Sequence, residues 1–126
     1  MGTHESRVLI VDDDLPLLRV LTAYVSRLGY HVVPCDDAER ARKLVEAEPS
    51  AYDVALVDMN MPGLRGEELA RRILERNASI RVIMASGYPF EWSAAGPLPG
   101  HDVGFLHKPF TPQELAHAIA ARPAGN

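Results

Sequence analysis

Residues Tyr52–Gly63 read Y-D-V-A-L-V-D-M-N-M-P-G, and the order of apolar, acidic and turn residues there decides the fold. The run Val54, Ala55, Leu56 and Val57 stops at Asp58. An unbroken apolar run bounded by polar and turn residues predicts a strand covered on both faces, as in a parallel sheet. Asp58 then stands at the carboxyl end of that strand, the edge where open α/β sheets hold their ligands. Pro62-Gly63 turns the chain just beyond it, so the carboxylate faces a crevice. A single Asp in such a place reads first as a loop cap; what the other strand ends carry changes that reading.

Before this stretch, Arg7–Val11 (R-V-L-I-V) is a second short β-branched run, and it too ends in acids, Asp12-Asp13-Asp14. A helix is expected to start at Asp14 or Leu15, with Pro16 in its first turn, where a missing N–H costs little. Leu17, Leu18, Leu21, Tyr24, Val25 and Leu28 recur at helical spacing, and Gly29 is a natural stop. His31–Pro34 reads as a strand that Pro34 pushes to an edge. Asp36 or Asp37 caps a second helix, with Ala38, Ala41, Leu44 and Val45 facing inward and Pro49 ending it.

After the Asp58 strand, Gly66 opens a third helix carrying Leu69, Ala70, Ile73 and Leu74, with i,i+4 pairs Glu67–Arg71 and Glu68–Arg72. Arg81–Ala85 is a fourth strand ending at Ser86-Gly87, and Val103–Leu106 a fifth ending at Lys108-Pro109. Thr111-Pro112-Gln113-Glu114 is a capping box with Pro at the first helical position, opening a last helix with Leu115, Ala118 and Ile119 inward. This alternation predicts a doubly wound α/β domain: five parallel strands with helices on both faces. One place departs from it. Between Ser86 and Val103, Ala95-Gly96-Pro97-Leu98-Pro99-Gly100 cannot sustain a helix, so the fourth helix is expected to be shortened or irregular.

The 126 residues suffice for one domain with a real core, read as residues 1–126 with frayed ends and a core over about 7–121. A hydrophobic share of 47% and net charge of -4 are those of an ordinary soluble domain, and the acidic balance argues against a nucleic-acid surface. The single Cys35 forms no internal disulfide, and no apolar stretch approaches membrane-spanning length. A cytoplasmic chain without direct membrane contact is the expectation.

In a parallel sheet all the strand ends named above emerge on one edge. Asp12, Asp13, Asp58, Ser86 and Lys108 therefore converge, although they are far apart in sequence. Three carboxylates packed together repel and hold protons unless a cation is present. A hard divalent ion such as Mg²⁺, which takes a few carboxylates with water and phosphate oxygens, resolves this. With a lysine and a hydroxyl added, the site suits a phosphoryl group.

Val11-Asp12-Asp13-Asp14, Asp58-Met59-Asn60-Met61-Pro62-Gly63, Ser86-Gly87 and Lys108-Pro109-Phe110 together resemble the receiver domain of two-component response regulators, over essentially the whole chain. The resemblance implies a flavodoxin-like strand order 2-1-3-4-5. It implies that Asp58 is the phosphoacceptor, that Asp13 binds Mg²⁺ directly and Asp12 mainly through water, and that Asn60 adds its backbone carbonyl. It gives Lys108 the phosphoryl oxygens or, before phosphorylation, Asp58. Ser86 then moves toward the phosphoryl group, and Phe105 matches the switch aromatic, without the hydroxyl of a tyrosine. The Lys108-Pro109 bond is implied to be cis. Asn60 and Tyr88 match the two positions that flank the water approach and tune hydrolysis. The phosphodonor would be a histidine kinase or a histidine phosphotransfer domain. Such a domain catalyses its own phosphorylation and dephosphorylation and is not a turnover enzyme. The run Ser86-Gly87-Tyr88-Pro89 is similar to receivers of hybrid histidine kinases.

Other readings stand beside these. A haloacid-dehalogenase-like Mg²⁺-dependent phosphohydrolase also uses Asp, Ser and Lys, but it needs further acids after the lysine, and only Glu114 follows Lys108. A flavin-binding relative would put its phosphate against three aspartates. Asp14 reads as a helix cap before a metal ligand, and Phe105 reads as readily as core as it does as a switch. The histidines (His4, His31, His101, His107, His117) lack ligand spacing and read as surface or satisfied groups. Cys35 reads as a small strand-end apolar residue. Phe90 and Trp92 either cover the gap left by a short fourth helix or form a partner patch, and Tyr88 either shields the site or points outward. The shortened fourth helix also predicts a domain that stays mainly monomeric.

Overall fold

The computed structural model describes residues 6–87 and 101–121. The elements run β1 (Arg7–Val11), α1 (Leu15–Arg27), β2 (His31–Cys35), α2 (Ala38–Ala47), a 3₁₀ turn (Pro49–Ala51), β3 (Val54–Asp58), α3 (Gly66–Arg76), β4 (Arg81–Ser86), β5 (Val103–His107) and α4 (Pro112–Ala120). The strands form one parallel sheet in the order β2-β1-β3-β4-β5. This is the flavodoxin-like order expected from the sequence. The expectations for the fourth helix, Tyr88, Phe90, Trp92 and the frayed ends fall outside the described residues.

Strand side chains alternate between two cores, as the two-residue period of a strand requires. Leu9, Val11, Ala55, Val57, Val82 and Met84 pack on one face with Leu69, Ala70 and Ile73 of α3 and Ala38, Ala41 and Val45 of α2. Val8, Ile10, Val54, Leu56, Ile83 and Ala85 pack on the other with Leu18, Leu21 and Val25 of α1 and Leu115 and Ile119 of α4. β3 lies at the centre of the sheet and is buried along its whole length, Asp58 included. Each large aliphatic side chain so covered contributes about 1.5–3 kcal/mol.

The helix ends follow the sequence closely. Asp14 caps α1, its carboxylate accepting from the Leu17 amide at 3.2 Å, and Asp37 rather than Asp36 caps α2 through the Arg40 amide at 3.1 Å. Gly29, at φ 101°, takes the left-handed position after α1. Glu68 and Arg72 pair at 3.1 Å on the exposed face of α3. The capping box of α4 is complete: the Glu114 amide donates to Thr111 Oγ1 at 3.1 Å, and the Thr111 amide donates to the Glu114 carboxylate at 2.8 Å. Thr111→Ala is expected to lower stability by about 1 kcal/mol, read as a shifted urea midpoint with unchanged slope.

Three details differ from the sequence reading. β2, β4 and β5 each run one residue further than expected, because parallel pairing continues to Val11↔Cys35 between β1 and β2 and to Ser86↔His107 between β4 and β5. Phe105 is not core: it is 41% exposed, on the edge strand β5. Leu28 closes α1 without joining the core and is also exposed.

Candidate functional site

The carboxyl ends of β1, β3, β4 and β5 meet at one edge of the sheet. β1 delivers Asp12 and Asp13, and β3 ends in Asp58. Asp12 and Asp58 are buried, whereas Asp13 is exposed. Carboxylate oxygens of these three acids lie within 4.8 Å of one another. β4 ends in the buried Ser86. From just beyond β5, Lys108 reaches across the sheet, its own amide donating to the Ser86 carbonyl at 2.7 Å. The Lys108-Pro109 peptide is cis.

Lys108 Nζ is 2.8 Å from Asp12 Oδ2 and 3.5 Å from Asp58 Oδ1. The closer partner is Asp12, not the Asp58 that the sequence resemblance suggested, because strands β1 and β3 are neighbours and the ammonium sits between their ends. The other oxygen of Asp12 accepts from the Asp14 amide at 2.9 Å. Asp58 Oδ1 also accepts from the Asn60 amide at 3.1 Å, and Asn60 Nδ2 donates to Ser86 Oγ at 3.5 Å. All the sequence-derived site residues that are described therefore gather here except Phe105, which lies two residues back from the edge on β5 opposite Met84. Tyr88 is outside the described residues.

The electrostatics are those of a site with one cation too few. Burial pushes the Asp58 carboxyl above the usual aspartate range; the Asn60 amide pulls it down, nearby Asp12 pushes it up, and Lys108 lowers it again. Burial alone would lower the Lys108 ammonium, but Asp12 and Asp58 more than offset that and hold it above the ordinary lysine value. A set of hard carboxylate oxygens around a charge deficit fits a divalent cation such as Mg²⁺.

Elsewhere, Cys35 is a buried free thiol at the end of β2, pushed up by burial, which matches its reading as a strand-end apolar residue. His31, His107 and His117 are exposed. His101 departs from the expectation of a satisfied group: its Nδ1 is buried with no hydrogen-bond partner among the described residues.

Comparison with known proteins shows the family to which this fold belongs. The family model of the response regulator receiver domain matches residues 8–120. The chain is 30% identical over 123 residues to the transcriptional regulatory protein ResD of Bacillus subtilis, covering 94% of this chain and 48% of ResD. It is 45% identical over 73 residues to the virulence sensor protein BvgS of Bordetella bronchiseptica, covering 58% of this chain and 6% of BvgS. It thus spans about half or less of the length of these two relatives. Among solved structures, the receiver domain of the hybrid histidine kinase CckA superposes with a TM-score of 0.77 at 27% identity, covering 90% of this chain and 95% of that one. The fold and the acid-lined edge define a receiver of two-component signalling. The chain belongs to the response regulator receiver domain family. Nothing in these comparisons supports the haloacid-dehalogenase-like alternative.

Proposed function

We propose that Asp58 is the phosphoacceptor of this receiver and takes a phosphoryl group from a phosphohistidine on a histidine kinase or histidine phosphotransfer domain. The observation that carries the reading is a buried carboxylate at the end of the central strand, flanked by two further acids and a lysine. A carboxylate oxygen of Asp58 attacks phosphorus, the bond from phosphorus to the imidazole nitrogen breaks, and that nitrogen keeps the electron pair. The product is an acyl phosphate on Asp58. Lys108, already between Asp12 and Asp58, neutralises oxygens of the incoming group.

Asp12, Asp13, Asp58 and the Asn60 carbonyl would hold Mg²⁺. When bound, the ion supplies positive charge to the phosphoryl oxygens and relieves the repulsion among the acids. Ser86 Oγ, within reach of Asn60 on the same edge, donates a hydrogen bond to the phosphoryl group, and Phe105 follows its movement on β5. Asn60 and Tyr88 tune the hydrolysis. The likeness to the receiver domain of the hybrid histidine kinase CckA supports a place in a longer hybrid-kinase chain, and the whole of residues 1–126 is read as one receiver domain. It is proposed to be cytoplasmic and mainly monomeric, on the sequence grounds given above, and to touch neither nucleic acid nor membrane directly. No helix among the described residues is long and apolar enough to cross a membrane.

Incubation with acetyl phosphate and Mg²⁺ is expected to add one phosphoryl mass to the domain. Chelation or Asp58→Asn is expected to abolish it. Labelling that survives Asp58→Asn would place the acceptor elsewhere and refute the assignment.

A further inference from the structure

We propose that Gly66 is a positioning residue for this site. Its missing side chain lets the first turn of α3 close directly onto the backbone of Asp58 and Met59, and that contact sets where the Asp58 carboxylate points. The proposal rests on the reading of Asp58 as phosphoacceptor.

A Cβ added at Gly66 would stand 2.8 Å from the Asp58 carbonyl oxygen, 2.8 Å from Met59 Cα and 3.3 Å from Met59 Sδ. The sulfur is the far end of a flexible side chain and can move. The other two atoms are backbone and cannot swing aside, so either the helix start or the end of β3 must shift. Conformational freedom is not the reason for this glycine. Among the described glycines only Gly29 and Gly63 have positive φ, so an alanine at 66 meets no dihedral penalty of that kind. The requirement is close approach alone.

The segment pressed by Gly66 is the one that carries the chemistry. The Met59 amide donates to the Ala85 carbonyl of β4 at 2.8 Å, which ties one side of the segment to the sheet. The Asn60 amide donates to the Asp58 carboxylate at 3.1 Å, which fixes the carboxylate itself. Gly66, fully enclosed at the start of α3, closes the remaining side. α3 is in turn anchored in the core through Leu69, Ala70 and Ile73, so the helix cannot simply retreat from a side chain at 66. A side chain at 66 therefore pushes on Asp58–Asn60 through the Asp58 carbonyl and Met59 Cα. Both the carboxylate and the Asn60 carbonyl then leave their places, and a displacement of this size weakens phosphoryl transfer and cation binding together. Misplacing a reacting group by about 1 Å costs on the order of a hundredfold in rate; the smaller shift expected here should cost about tenfold.

Gly66→Ala is to be compared with wild type and with Gly104→Ala. At Gly104 a Cβ would meet Arg81 Nη2 at 2.6 Å, a close contact with a side chain that Asp102 and the Ala118 carbonyl hold in place, beside the first residue of β4 and away from the site acids. Three quantities are read: Mg²⁺ affinity by calorimetry, phosphorylation rate with acetyl phosphate, and the thermal unfolding midpoint without metal. Gly66→Ala is expected to lose about tenfold in both affinity and rate, while Gly104→Ala loses midpoint and keeps both. Wild-type values for Gly66→Ala, or equal losses in Gly104→Ala, would overturn the positioning role. Should Gly66→Ala fail to fold, the amide resonance of Gly66 in the wild-type domain decides. It is expected to shift on addition of Mg²⁺ together with that of Asn60, and a Gly66 amide indifferent to Mg²⁺ overturns the proposal. A wild-type domain that takes neither Mg²⁺ nor a phosphoryl group refutes the phosphoacceptor reading instead, so the two failures are distinct.

Discussion

Asp102→Ala is expected to remove about 3–5 kcal/mol of unfolding free energy, a large share of the roughly 5–15 kcal/mol that holds a domain together. Arg81, the first residue of β4, is buried. Its Nη1 donates to Asp102, just ahead of β5, and its Nε donates at 2.6 Å to the carbonyl of Ala118 in α4. The guanidinium lies over Gly104, the one residue of β5 that leaves room for it. One cation thus joins two strands and a helix at the end of the sheet opposite the acidic site. Among the described residues, removing Asp102 leaves the buried charge with the Ala118 carbonyl as its hydrogen-bond partner, and an uncompensated buried charge is far more costly than a missing pair. Adding Arg81→Met to Asp102→Ala removes that charge at similar volume, so the double variant should regain most of the loss. Urea unfolding of both single variants and the double forms a thermodynamic cycle. A loss below about 1 kcal/mol for Asp102→Ala, or a double variant no more stable than Asp102→Ala, would show that water already solvates the guanidinium.

That clamp was invisible in the sequence for a physical reason. A charged residue opening an apolar run reads as a strand boundary, and nothing in R-V-I-M-A says that the arginine turns under the sheet. Its partners lie 21 and 37 residues away, and its space comes from a glycine on another strand. The central strands were legible because they are buried on both faces, so their apolar runs are continuous and need no knowledge of neighbours. Helix ends were legible because capping is local: Asp14, Thr111 and Glu114 bond to amides three residues away at most. The edge strand β5 was harder. In V-G-F-L-H only Leu106 is buried, and no local pattern separates an exposed Phe105 from a core one.

The site was legible as a set of residues and less so as a network. Parallel topology sends every strand's carboxyl end to the same edge, so the gathering of Asp12, Asp13, Asp58, Ser86 and Lys108 follows from the fold alone. Which acid the lysine prefers depends on a difference between 2.8 and 3.5 Å, which topology does not fix. The close packing behind Asp58 was hidden likewise. Gly66 read as a helix opener, and only its distance to the Asp58–Met59 backbone reveals why no side chain stands there.

Lys108→Ala is expected to slow phosphorylation by acetyl phosphate about a hundredfold to a thousandfold, the usual effect of deleting one preorganised group that stabilises developing oxyanion charge. Asp12 and Asp58 are buried, and Lys108 is the cation that pairs with both. Without it, the phosphoryl oxygens approach two carboxylates with less charge to meet them. The same substitution should change how the metal-free fold responds to pH. Asp58 and Lys108 are both held above their ordinary pKa values. For a raised group the contribution to stability is complete below the ordinary value and is lost as pH rises through the folded-state value. For Asp58 that loss begins as pH climbs out of the aspartate range, and for Lys108 it comes only in alkali. Deleting Lys108 removes one of the two influences that lower Asp58, so its carboxyl rises further. Urea midpoints measured in chelator should then fall more steeply across the acidic range in Lys108→Ala than in wild type, and the alkaline decline should shrink. A variant that is phosphorylated at the wild-type rate, with a wild-type pH profile, would mean that the lysine reaches neither acid in solution.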